Sequence, residues 1–102
     1  MISNGMRPIH PGEILREEYV LPLGLSANRL AMELRVPVTR ISKILNEERA
    51  ISPDTALRLA RYFGGDAQTW LNLQATYDLK KAIHDHGGEI QRDVRPRAHE
   101  AA

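Results

Sequence analysis

The residues best suited to contact chemistry lie close together in the stretch RVPVTRISKILN, residues 35–46. At about 100° per residue, Ile41, Ile44 and Leu45 fall within about 100° of one another, and Thr39, Ser42, Lys43 and Asn46 occupy the opposite face. Val38 and Arg40 stand on the two borders. A helix with a purely structural role usually supports its solvent face with Glu–Lys pairs at i,i+4, yet this face carries no acid before Glu47. Short polar groups plus one long cation suit the floor of a nucleic-acid groove.

Such a face works only if the elements around it fix its orientation. The three- and four-residue recurrence of apolar side chains, with almost no strand signal through residue 86, predicts an all-α domain of five helices. The first spans Pro11 to Val20, with Pro11 at its first position and Ile14, Leu15 and Tyr19 as its stripe. Ser26 is the N-cap of a second helix that turns Leu30, Ala31 and Leu34 inward, and Pro37 opens a third after a connection of about three residues. Packing of Leu30, Ala31 and Leu34 on Val36, Ile41, Ile44 and Leu45 would set the angle between these two.

In ISPDTALRLARYFG, Ser52 is the cap, Pro53 takes the first position, and Ala56, Leu57, Leu59, Ala60 and Phe63 face inward, closed by Gly64-Gly65. Asp66 caps a fifth helix running to about His86. Its apolar residues, Trp70, Leu71, Leu73, Tyr77, Leu79 and Ile83, outnumber what one stripe needs. Gly87-Gly88 is expected to stop it; the alternation in EIQRDV then permits a short strand over 89–94, and RPRAHEAA is expected to be disordered. The domain organisation is therefore an N-terminal arm (1–10), a helical domain (11–86, with its paired helices at about 26–45) and a C-terminal tail (87–102).

A chain of 102 residues suits a single core. Net charge is only +1, so any affinity for nucleic acid must come from local arrangement. Residues 26–49 hold Arg29, Arg35, Arg40, Lys43 and Arg49 against Glu33, Glu47 and Glu48, a small local surplus. There is no cysteine, which removes disulfides and thiolate zinc sites. No apolar run reaches the roughly 20 residues of a membrane span and the start lacks a secretory h-region, so no membrane association and a cytoplasmic location are expected. His84 and His86 are two apart and point about 160° from each other on a helix, a poor start for a metal site. No nucleophile motif or glycine-rich phosphate loop is present, so neither an enzyme nor a cofactor is expected.

The pattern S-x-x-x-LA-x-x-L-x-V-x-x-x-x-IS-x-IL over residues 26–45 resembles the helix-turn-helix of the phage-repressor (Cro/C1, or XRE) family. One position departs from it: the turn residue usually given to glycine is Arg35. A left-handed arginine costs about 1–2 kcal/mol, so either the turn is strained or the second helix ends differently. The resemblance implies that Val38, Thr39 and Lys43 touch bases in the major groove. Thr39 would bond a base edge or meet a thymine methyl, Val38 would meet the methyl, and Lys43 would seek guanine O6 or N7. Arg40 and Ser42 flank them. Ser26 with the amides of Ala27 and Asn28 resembles a phosphate-gripping helix start, and Asn46 and Arg49 resemble backbone contacts beyond the recognition helix. Glu47 and Glu48, near those phosphates, would weaken binding.

MRPIHPGEIL (6–15), RAISPDTALRLARYFG (49–64) and WLNLQATYDL (70–79) are similar to the HigA branch of addiction-module antitoxins. That likeness implies a homodimer that binds a palindromic operator, represses its own operon and neutralises a HigB-type toxin, a RelE-like messenger-RNA ribonuclease. One headpiece is too small for useful specificity. Pairing is therefore expected through Trp70, Leu73 and Tyr77 of helix five and Ile90 and Val94 of the tail, with core packing the other role open to Trp70 and Tyr77. HPGEIL reads as a cap and core-facing turn oriented by His10, while Glu13, Glu17 and Glu18 would suit a basic toxin. A stand-alone repressor of the same type, with no toxin partner, is the second reading.

Overall fold

The computed structural model describes residues 7–98, so the arm is seen from residue 7 and the last four tail residues lie outside the described part. Five α-helices follow one another: α1 (Pro11–Leu15), α2 (Ala27–Leu34), α3 (Val38–Leu45), α4 (Pro53–Phe63) and α5 (Ala67–Asp93). A π-helical segment, Arg16–Val20, extends α1 and completes the expected first helix. Its wider winding shows in an amide bond five residues back, from Leu21 to the Arg16 carbonyl.

Short polar caps start most of these helices. Ser26 Oγ accepts from the Arg29 amide at 3.0 Å, Ser52 Oγ from Thr55 at 3.3 Å, and Asp66 Oδ1 from Thr69 at 2.9 Å. Gly64 and Gly65, at φ 92° and 83°, end α4 in a backbone region open chiefly to glycine. The core joins Leu15 and Val20 to Leu30, Ala31 and Leu34 of α2, Ile41, Ile44 and Leu45 of α3, and Ile51, Ala56, Leu59 and Trp70. Leu57, expected inward, is 64% exposed. Buried Gln74 accepts from the Ile51 amide at 2.8 Å, tying the α3–α4 connection to α5.

The C-terminal expectation is corrected. Residues 89–93 continue α5 instead of forming a strand, and Gly87-Gly88 lie within the helix. A helix already nucleated gains one hydrogen bond per added residue, while a glycine costs about 1 kcal/mol against alanine, so two glycines weaken it without ending it. Val94 still donates its amide to the Ile90 carbonyl at 2.8 Å. From residue 81 onward nearly every α5 side chain is exposed, and the molecule measures 56 × 26 × 22 Å. Among the described residues no helix is long and apolar enough to cross a membrane.

The entry to α1 carries the tightest constraint. His10 Nδ1 accepts from the Gly12 amide at 2.8 Å, which makes the ring a neutral Nε2–H tautomer and an unusual N-cap. Pro11 and Gly12 are buried, and a Cβ on Gly12 would collide with the Ile44 carbonyl oxygen of α3. Glycine is required there because two backbones meet. Gly12→Ala should lower unfolding free energy by about 3 kcal/mol in urea titration, since a backbone carbonyl cannot rotate away as a side chain can.

His10 is 3% exposed, with its ring edge on Tyr77 at 4.8 Å. Burial pushes its pKa below the usual 6.5, against the weaker opposing pull of Glu47 and Asp78. The unfolded chain then binds the proton more readily, so this contribution to stability is complete above the unfolded pKa of about 6.5 and is lost as pH falls toward the folded value. Urea midpoints compared at about pH 7.5 and 5.5 should fall on acidification for the parent chain, and fall less for His10→Asn, which keeps an acceptor that does not titrate.

Candidate nucleic-acid interface

α3 presents the face expected of it. Ile41 and Ile44 are fully buried, Leu45 is 8% exposed, and Thr39, Lys43 and Asn46 are exposed on the other side with Val38 at 40%. Ser42 is half-buried. Burying each isoleucine contributes about 1.5–3 kcal/mol, so the helix has one strongly preferred rotation and the polar face follows from it.

The turn between α2 and α3 resolves the arginine question. Arg35 adopts φ 61°, ψ 46°, the left-handed conformation, while Val36 donates to the Ala31 carbonyl at 3.0 Å and Arg35 to Met32 at 3.2 Å. This is a Schellman end. The exit of α3 repeats it: Glu47, at φ 63°, donates its amide to Ile44, and Glu48 donates to Lys43 at 2.8 Å. Each non-glycine residue there costs about 1–2 kcal/mol, less than the combined burial of Ile41 and Ile44. Packing therefore sets the turn, and strain is tolerated.

Two arginines brace the pair from outside. Arg16 donates to the Leu45 carbonyl at the end of α3 and reaches Glu47 at 3.3 Å, so one of the two carboxylates expected to repel phosphates is already paired. Arg58 of α4 donates to the Leu34 carbonyl at 2.8 Å, satisfying the end of α2. Its Nε meets Asp54 at 2.9 Å, and the same Asp54 oxygen takes Arg40 Nη1 at 2.6 Å. Arg58, and Arg40 with it, hold the Asp54 carboxyl below the usual carboxylate range.

Most of the expected contact residues are exposed. Ser26, Asn28, Asn46 and Arg49 are exposed, and Ala27 opens α2 beside the Ser26 cap. Arg40 departs from the expectation: its side chain is only 25% exposed and is turned to Asp54. Among the expected pairing residues, Trp70 takes the core role that was also open to it. It is 5% exposed, tilted against Tyr19 with ring centroids 5.4 Å apart, and belongs to the core of its own chain. Leu73 and Tyr77 are half-buried, whereas Ile90 and Val94 are 52% and 62% exposed. Leu79 at 49% and Ile83 at 40% lie on the same helical face as Ile90, a stripe that the expected strand concealed.

Sequence reasoning passed over Gly12, Arg16 and Arg58, which touch no candidate ligand and yet fix where the face points. Only Gly12 left a signal: a glycine inside the first turn of a helix is otherwise a poor choice.

A helix-turn-helix family profile matches residues 15–70. Virulence-associated protein I of Dichelobacter nodosus is 63% identical over 81% of this chain and 77% of its own. Among solved structures, Pseudomonas aeruginosa antitoxin HigA with the higBA promoter superposes with a TM-score of 0.86 at 43% identity, covering 90% of this chain and all of that one. An addiction module antidote protein of the HigA family from Coxiella burnetii gives 0.83 at 52% identity, over 89% and 99% of the two chains.

Because Arg35 holds a left-handed backbone at no evident packing gain of its own, Arg35→Gly should stabilise the fold by about 1 kcal/mol. A thermal melt should show a midpoint about 5 °C higher.

Proposed function

From the premise that this chain belongs to the helix-turn-helix (XRE, Cro/C1-type) family, as a DNA-binding protein of its HigA-type antitoxin branch and not an enzyme, we propose that it represses its own operon as a homodimer and neutralises a HigB-type toxin. The observation that carries the DNA half is the α3 surface. Thr39 and Lys43 project together from a helix whose opposite side is fully buried, a geometry in which both reach base edges of one major groove.

Val38 meets a thymine methyl, Thr39 bonds a base edge and Lys43 seeks guanine, with Ser42 beside them. The Ser26, Ala27 and Asn28 helix start and the side chains of Asn46 and Arg49 grip phosphates and fix the register. One such head makes few contacts, so two copies read a palindrome about one helical turn apart. The exposed stripe of Leu79, Ile83, Ile90 and Val94 is the pairing surface, in place of Trp70; half-buried Leu73 and Tyr77 lie on a different face of the helix, about 100° or more from its centre. The toxin half rests on the likeness to the HigA antitoxins of P. aeruginosa and C. burnetii. Exposed Glu17 and Glu18, with Glu13, suit a basic partner on the α1 side.

Replacing Thr39 and Lys43 together by alanine should abolish discrimination between the upstream operator and a scrambled duplex in a gel shift, with circular dichroism unchanged, since both side chains lie off the core. Equal operator affinity would reject the base-reading assignment. For the toxin half, the same double variant should still rescue growth when co-expressed with the adjacent open reading frame; a chain that never rescues growth would favour the stand-alone repressor.

A further inference from the structure

One carboxylate lies between two guanidiniums where α2, α3 and α4 converge. Asp54 sits in the first turn of α4, where the helix dipole favours its charge. Arg58 anchors it from one turn along the same helix and is itself bound to the Leu34 carbonyl, so Asp54 has little freedom to follow a departing partner. Arg40 comes from the border of the reading face, about 60° round α3 from Lys43, and its Nη1 lies 2.6 Å from Asp54. Without that bond the arginine stem could swing toward the groove edge, where the phosphates run.

We propose that Asp54 is a positioning residue that holds Arg40 off the DNA backbone and so limits the chain's sequence-independent affinity. The inference rests on the DNA-binding reading and adds to it. Affinity without sequence preference comes almost wholly from phosphate neutralisation, and each cation engaged steepens the dependence of log K on log salt by about 0.9. A chain of net charge +1 that paired one of the few cations of its reading helix internally would bind random DNA weakly and leave recognition to Val38, Thr39 and Lys43. The pair is partly exposed, and a restraint of this kind is soft enough to be removed by one substitution without unfolding the protein.

The test is a fluorescence-anisotropy titration of the full chain against a labelled random-sequence duplex between about 50 and 200 mM KCl. Asp54→Asn should bind several-fold tighter at about 100 mM, with a salt slope steeper by about 0.9. In an Arg40→Gln background the same substitution should change neither quantity. An unchanged slope in Asp54→Asn overturns the proposal. So does a gain that persists in the Arg40→Gln background, because the lost negative charge or a released Arg58 would then be the cause. Asp54→Ser, which suits an α-helical first turn, repeats the measurement if the Asn variant melts early. A parent chain showing no salt-dependent binding to any duplex, operator included, would instead overturn the DNA-binding reading itself.

Discussion

The meeting of two backbones at Gly12 and Ile44 governs the geometry of this protein. A residue with any side chain at position 12 would push α1 away from the end of α3. The absence of one lets Leu15 enter the core and brings Arg16 within reach of the Leu45 carbonyl. His10 and Pro11 exist, in structural terms, to begin a helix at that point: one supplies the acceptor for the Gly12 amide and the other needs no acceptor at all. An N-terminal element outside the paired helices thereby fixes how closely α1 can approach the end of α3.

From that contact outward, α3 is held on several sides by interactions of different kinds. Apolar burial against α2 determines its rotation, the Arg16 bond restrains its end, and the Asp54–Arg40 pair ties its first turn to α4. The terms are unequal. Burial of Ile41 and Ile44 contributes several kcal/mol, whereas an exposed ion pair contributes up to about 1 kcal/mol. The ionic groups therefore refine an orientation that packing has already selected. This ordering explains why two left-handed non-glycine residues, Arg35 and Glu47, are tolerated at the two ends of the paired helices.

Much of this was legible in the order of residues. Caps, periodicity and proline positions placed α2, α3 and α4, because short-range signals and burial agree there: Ser26 and Ser52 cap where expected, and Ile41, Ile44 and Leu45 are inside. The far end of α5 was misread because two glycines and an alternating Ile90–Val94 pattern mimic a stop followed by a strand, and a helix already under way overrides both. Arg40, on the border of the wheel, was expected to flank the groove contacts. Its partner, Asp54, is fourteen residues away in sequence and becomes a neighbour only when α4 folds back, information no local window contains. The Gly12 contact was hidden for the same reason, as it joins segments more than thirty positions apart.

The length of α5 has a mechanical consequence. At about 1.5 Å per residue its 27 residues make a rod of about 40 Å, and the second half stands clear of the body. Anything seated on the stripe of Leu79, Ile83 and Ile90 is carried at a set distance and bearing from the exposed face of α3. Inserting one residue near Ala82 would turn the outer apolar strip by about 100° while leaving the inner half in place, so the phase between a head and whatever joins it is counted in helix residues.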